Sequence, residues 1–140
     1  MADETNQLRV RLVTPERTLF DSAANAVELP SKSGYMEVLY GHAPLVAELG
    51  AGDVAIHGAA EGEARYNVSW GFAEVLGDRV TILAADALKP EEINLDRAKE
   101  QLARGQKLWD EAGDSEAAYT NALHVIAEAE AKIASAAEKQ

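Results

Sequence analysis

The sequence predicts an all-β N-terminal sandwich followed by a C-terminal antiparallel α-helical hairpin. Three observations carry this. Eight of the 10 glycines fall before residue 89, whereas alanine dominates the last stretch. The first part carries short apolar runs of period two between turn signals. The last part carries apolar residues at three-four spacing. The division falls at Ala87-Leu88-Lys89-Pro90, which gives a β domain over 1–88 and a helical domain over 89–140.

Taken in order, Leu8, Val10 and Leu12 alternate with Gln7, Arg9 and Arg11, a strand with one buried face. Ala26–Leu29 is a second strand, expected to stop at Pro30, which has no N–H to give a ladder. Gly34-Tyr35-Met36-Glu37-Val38-Leu39 is a β run, followed by Tyr40-Gly41-His42-Ala43-Pro44. Gly41 permits angles that a side chain forbids, and Pro44 pushes Ala43 toward extended geometry. The expectation is one rigid corner presenting Tyr35, Glu37, Tyr40 and His42. Gly50-Ala51-Gly52 is expected to be a small-residue turn before the strand Val54–His57. Glu61-Gly62-Glu63 precedes the strand Arg65–Val68. Gly77-Asp78 joins Phe72–Leu76 to Arg79–Leu83 as a hairpin. Trp70 falls between strands, a place that suits half-buried packing and a partner contact alike.

In the second half, Leu95, Ala98, Leu102, Gly105, Trp109 and Ala112 form one stripe. Tyr119, Ala122, Ile126, Ala129, Ile133 and Ala136 form another. Asn94 suits the N-cap of the first helix. Gly113 suits its left-handed end, with Asp114 or Ser115 capping the second helix. The short loop makes the helices antiparallel neighbours. Stripes of alanine bury little area, so the hairpin should be marginal and able to open.

Composition narrows the function. Lys and Arg number 13 against 24 Asp and Glu, a net charge of −11. That disfavours a broad nucleic-acid surface and adsorption to anionic lipid, and points to a protein partner. There are no cysteines, so disulfides and thiolate chemistry are excluded. No apolar run approaches the roughly 18 residues that span a bilayer, so direct membrane insertion is not expected. The acidic, polar N-terminus has neither a secretory nor a transit pattern, and the expected location is the cytoplasm. His42, His57 and His124 are scattered, and no HExxH, Gly-x-Ser-x-Gly or phosphate loop occurs. No catalytic residue, metal or cofactor is expected. A hydrolase using His42 with Asp53 or Glu37 has no spacing to support it.

Several separated motifs together resemble the epsilon subunit of the F-type ATP synthase. They are Gly34-x-x-x-Val38-Leu39-x-Gly41-His42-Ala43-Pro44-Leu45, then Val68-Ser69-Trp70-Gly71-Phe72-Ala73-Glu74-Val75, Arg79–Ala84, and Ile93-Asn94-Leu95-Asp96-Arg97-Ala98. The resemblance implies a non-catalytic central-stalk subunit of a proton-translocating synthase. Such a subunit links the gamma shaft to the c-ring and couples proton flow to ATP synthesis. Its hairpin can rest on the sandwich or extend toward the alpha/beta head and restrain ATP hydrolysis. It would be peripheral, on the bacterial cytoplasmic side of the plasma membrane. Gly34, Tyr35, Glu37, Tyr40, Gly41, His42 and Pro44 then form the ring-facing loop. Ile93, Asn94, Arg97 and Ala98 match a nucleotide motif in degenerate form.

This chain departs from the family pattern at four of these places. Glu37 replaces a usual glycine, Tyr40 a common proline, Trp70 a glycine and Asn94 an aspartate. Residues 116–140 hold no arginine, only Lys132 and Lys139, so weak or absent ATP binding is expected. The competing reading is a free-standing nucleotide-sensing module built on Ile93–Ala98.

Overall fold

The computed structural model describes residues 6–138. Seven strands precede two helices: β1 (Leu8–Val13), β2 (Thr18–Ala24), β3 (Ala26–Ser31), β4 (Gly34–Leu39), β5 (Leu45–His57), β6 (Ala64–Leu76), β7 (Arg79–Leu88), α1 (Leu95–Glu111) and α2 (Glu116–Glu138). Contacts divide the chain after Leu88.

The strands form one hydrogen-bonded sheet in the order β2-β1-β7-β6-β5-β3-β4, antiparallel except for the β1–β7 pair. It folds over into a sandwich. Val10 and Leu12 of β1 share one core with Leu29 of β3 and Val38 of β4, from the opposite end of the strand order. The Tyr66 hydroxyl donates to Leu19 O at 3.1 Å, and its ring meets Phe20 edge-on at 6.5 Å. Strands β6 and β2 are not neighbours in the sheet, so this contact spans the two layers.

The fold-over has a sequence cause. Along a strand, buried side chains recur every second residue. Three adjacent strands break that parity at the same level. In β5 the buried positions pass from Leu49 to Val54 and Ile56, in β6 from Tyr66 and Val68 to Ala73 and Val75, in β7 from Ile82 and Ala84 to Ala87. The break falls at Gly50, Trp70 and Ala85, which lie in one row between the register pairs on either side. Trp70 has φ 58 and Gly71 φ 126, so the chain turns a corner without leaving the ladder. A side chain at Gly71 would strike the Leu83 carbonyl oxygen, which makes glycine obligatory there. Trp70 holds the left-handed region at a cost of about 1–2 kcal/mol. The glycine usual at this place in the resembling motif fits the same geometry.

Four expectations are corrected. Gly50-Ala51-Gly52 is not a turn but the middle of β5. Gly52 is small because Tyr35 and Pro30 lie against it, close enough to clash with any Cβ. β6 likewise runs unbroken through Trp70. Pro30 does not end β3, which continues to Ser31. The β3–β5 pairing skips from Glu28↔Ala55 to Ser31↔Leu49, so the missing N–H falls in an irregularity where no donor is required. Finally, β2 has no counterpart in the sequence-based expectation. It is an edge strand with both faces half covered, and it does not alternate.

The turns agree with expectation. Leu76 pairs with Arg79 across Gly77-Asp78, and Gly77 alone has positive φ (63), the pattern of a type II′ turn. In the helical unit, Asn94 Oδ1 accepts Arg97 N–H at 3.1 Å and caps α1. Ser115 Oγ accepts Ala118 N–H at 3.1 Å and caps α2. Gly113 has φ 59. Ala98, Gly105, Ala112, Ala122, Ala129 and Ala136 are buried on the predicted stripes. Gly105 lies so near Ile126 that an added Cβ would come within 2.7 Å of its Cγ1. Trp109 meets Tyr119 edge-on at 4.7 Å.

Candidate interface strand and loop

The segment singled out by sequence is an edge strand with a turn at each end. Ser31 and Gly34 pair across Lys32-Ser33, and Ser31 Oγ donates to Gly34 O at 2.5 Å. From Gly34, at φ 126, β4 runs to Leu39 along the rim of the sheet. Tyr35, Glu37 and Leu39 share the outward face, while Val38 is buried. Past the strand, His42 N–H donates to Leu39 O at 3.1 Å and closes a turn over Tyr40 and Gly41, where Gly41 has φ 89.

This geometry spreads the expected rigid corner along a whole strand. Gly34 and Leu39 are five steps apart, roughly 16 Å on an extended strand. Gly34 and Tyr35 sit at one end. Tyr40, Gly41, His42 and Pro44 sit at the other, with Glu37 between. Tyr35 is 65% exposed, yet its hydroxyl turns back and accepts Asp53 N–H at 3.0 Å. His42 is half-buried, and its Nδ1 lies 2.7 Å from Ala43 O. Tyr40 and Pro44 are exposed. Asp53 is bound elsewhere: Asn67 Nδ2 donates to it at 3.1 Å and Arg65 at 3.2 Å.

Two features of this face were not read from sequence. Leu39 and Val46 are 51% and 67% exposed and flank the Tyr40–Pro44 turn, which makes that end apolar. Parity could have found Leu39, two residues beyond Glu37. Glu28 lies directly opposite Glu37 in the β3–β4 register, a repulsive placement. His57 Nε2 stands 3.7 Å from Glu28, and its Nδ1 2.8 Å from Glu63.

The degenerate nucleotide motif lies at the start of α1. Ile93 and Ala98 are buried, 7% and 2% exposed, and Asn94 spends its side-chain oxygen on the helix cap. Arg97 is exposed on the first turn. Among the described residues no group of three or more His, Asp or Glu side chains is placed to hold a metal, and no helix is long and apolar enough to cross a membrane.

Residues 7–90 match the family model for the ATP synthase delta/epsilon chain β-sandwich domain. The ATP synthase epsilon chain of Koribacter versatilis is 42% identical over 103 residues, 73% of this chain and 71% of the relative. The epsilon chain of Rhodobacter capsulatus is 41% identical over 104 residues, 74% of this chain and 78% of that one. A chain in the Euglena gracilis mitochondrial ATP synthase (OSCP/F1/c-ring) has the same fold, with TM-score 0.77, 23% identity and coverage of 98% of this chain and 84% of that chain. With the family model matching well over half of its length, this chain belongs to the ATP synthase delta/epsilon chain family.

Proposed function

We propose that this chain is a non-catalytic rotor subunit in the central stalk of a proton-translocating F-type ATP synthase, linking the gamma shaft to the c-ring. The observation that carries this is the family match over 7–90, which spans the whole sandwich together with the Gly34–Leu45 segment. Relatives named ATP synthase epsilon chain support it, as does the fold of a chain from the Tetrahymena thermophila central stalk and c-ring (TM-score 0.69).

The sandwich is the rigid piece and transmits torque. Its exposed β4 edge and the apolar Leu39–Val46 end meet the ring. Tyr40, His42 and Pro44 are the contact residues at that end. Glu37 lies midway along the edge, and Tyr35 acts by bracing the strand on Asp53. The hairpin over 89–140 is a separate domain held by a thin seam, and it regulates ATP hydrolysis by moving relative to the head. Through the complex the chain sits peripherally, on the cytoplasmic side of the bacterial membrane. ATP binds weakly or not at all, because the Asn94 side chain already caps α1 and α2 offers no arginine.

The test is a pull-down of the tagged chain from detergent-solubilised membranes of its own organism, with bound subunits identified by mass. Gamma, the catalytic head and ring subunits are expected together. Recovery of the chain alone, or with unrelated soluble proteins, overturns the proposal.

A further inference from the structure

The outward face of β1 and β7 carries a concentration of positive charge on a chain of net charge −11. Arg9 and Arg79 are register partners across the parallel β1–β7 pair, and Arg11 partners Thr81 two residues on. Three of the six lysines and arginines in residues 6–88 therefore lie within two strands. With Asp21 and Thr81 they line a depression of about 360 Å³. Like charges in register on one face repel each other and destabilise the pair.

Only Arg9 makes an ion pair, with Asp21, which stands opposite Arg11 in the β1–β2 register. Its guanidinium donates to Asp21 Oδ1 from Nε at 3.0 Å and from Nη2 at 2.8 Å. Among the described residues, Arg11 and Arg79 have no side-chain hydrogen bond or ion pair, and both are exposed. The other acids of this face are Glu74, which partners Thr81 on β6, and Asp78 in the turn before Arg79. By contrast Lys32 pairs with Glu48, and Arg65 with Asp53. The sheet satisfies its scattered cations and leaves two adjacent ones open.

The same face becomes apolar one register step further. Val13 partners Leu83, and Leu83 partners Phe72, with Phe72 55% and Leu83 52% exposed. A free phosphate would use only the arginines. A surface that joins a forked cation pair to an apolar row fits a protein segment bearing carboxylates beside apolar side chains.

We propose that Arg11 and Arg79, beside the Arg9–Asp21 pair, form a carboxylate-binding latch for an acidic and apolar segment of a protein partner in the synthase. The latch rests on the rotor-subunit reading and adds to it the chemistry the partner must present. It sets the partner's register on the sandwich, and it holds more weakly as salt rises.

The experiment measures binding of the full-length chain to the organism's own synthase depleted of this subunit. R11Q/R79Q is expected to bind about tenfold more weakly, and to lose part of the wild-type salt dependence. K32Q, which touches a cation outside the face, is expected to bind as wild type does. R11K/R79K keeps the charge without the planar fork, and is expected to lie between wild type and the glutamine variant. Thermal melts of each variant confirm folding, and the salt dependence of the wild-type chain tests the latch with no substitution at all. Unchanged affinity of R11Q/R79Q, or salt-independent wild-type binding, overturns the latch and leaves the rotor reading intact. Displacement of the wild-type chain by millimolar pyrophosphate, or its capture by phosphatidylglycerol vesicles, also overturns it by naming a different ligand. Failure of the wild-type chain to join the depleted synthase overturns the rotor reading, and the latch with it.

Discussion

Between Leu8 and Leu88 most fully buried side chains are branched aliphatics, and the large Leu12, Leu29, Leu49, Ile56 and Ile82 have no exposed surface. Beyond Leu88 the buried positions are mostly alanine, with Ala122 and Ala129 fully covered and Gly105 where the helices pack closest. Full burial of a leucine or isoleucine is worth about 1.5–3 kcal/mol, and one methyl group about 0.8 kcal/mol. The connectivity differs too. The sheet ties β1 to β7 across some seventy residues of sequence, whereas the hairpin is closed by Gly113 and its neighbours alone. The platform is therefore expected to open only as a whole, and the hairpin by itself. The rotor function proposed above asks for those two stabilities, one in a part that transmits force and one in a part that regulates.

The largest test of this contrast is deletion of core volume on each side. Leu29→Ala or Ile82→Ala is expected to destabilise the sandwich by about 2–5 kcal/mol. Ala129→Gly is expected to destabilise the hairpin by about 2 kcal/mol, through helix propensity and a lost buried methyl together. Urea unfolding followed by circular dichroism, with the midpoints of the two transitions compared, checks both. Equal losses on the two sides would break the contrast.

The corner is the next target, because it makes the platform two-layered. Gly71→Ala places a Cβ against the Leu83 carbonyl oxygen and puts a side chain at φ 126. The neighbour is backbone and cannot swing aside. A loss of at least about 1–3 kcal/mol is expected, confined to the sandwich transition. Gly77→Ala, with nothing within 4 Å of its Cβ, is expected to cost less. A reversed order would show that the Gly50–Trp70–Ala85 row does not turn the sheet.

That corner also marks where the sequence stops being legible. Leu8-Val10-Leu12, Gly77-Asp78, and the Asn94 and Ser115 caps are local signals, and their elements form where those signals point. Gly50-Ala51-Gly52 and Trp70-Gly71 interrupt alternation, and interruption by itself cannot tell a turn from a bend within a continuous strand. Only the alignment of three strands separates the two. Pro30 misleads for the same reason, since its missing donor matters only if the neighbouring strand offers an acceptor there. In the candidate site, the exposure of Glu37 and Tyr40 follows from local pattern. The inward hydroxyl of Tyr35 does not, because Asp53 and Gly52 are supplied from eighteen residues away. The Arg9–Arg79 pairing is still more remote from local pattern, being set by the register of β1 on β7.

A smaller effect is expected in the seam. Gly105→Leu inserts a side chain where Ile126 Cγ1 would lie 2.7 Å and Val125 Cγ1 3.1 Å from even a Cβ. Those two neighbours are side chains and can give, whereas Ile126 N at 3.2 Å is backbone and cannot, so the cost is about 1–3 kcal/mol, less the propensity gained on leaving glycine. The Trp109–Tyr119 contact should open, shifting the Trp109 emission to the red while the sandwich transition stays in place. A matching drop in the sandwich midpoint would show that the hairpin is not separable and would remove the thermodynamic basis for its moving.

The smallest effect is expected at the Lys32–Glu48 pair. Its charged atoms are 2.5 Å apart, yet the two side chains are 46% and 50% exposed. Water screens the attraction, and ordering two long side chains offsets much of what remains. The turn is already held by the Lys32 N–H bond to Glu48 O at 2.9 Å, which survives any change of side chain. Lys32→Gln is therefore expected to change the sandwich midpoint by no more than about 0.5 kcal/mol, with less effect as salt rises. Thermal melts at low and high salt check this. A loss comparable to that of Leu29→Ala would mean that the platform draws its stability from surface charge, and the difference between the two halves would then have to be sought outside their cores.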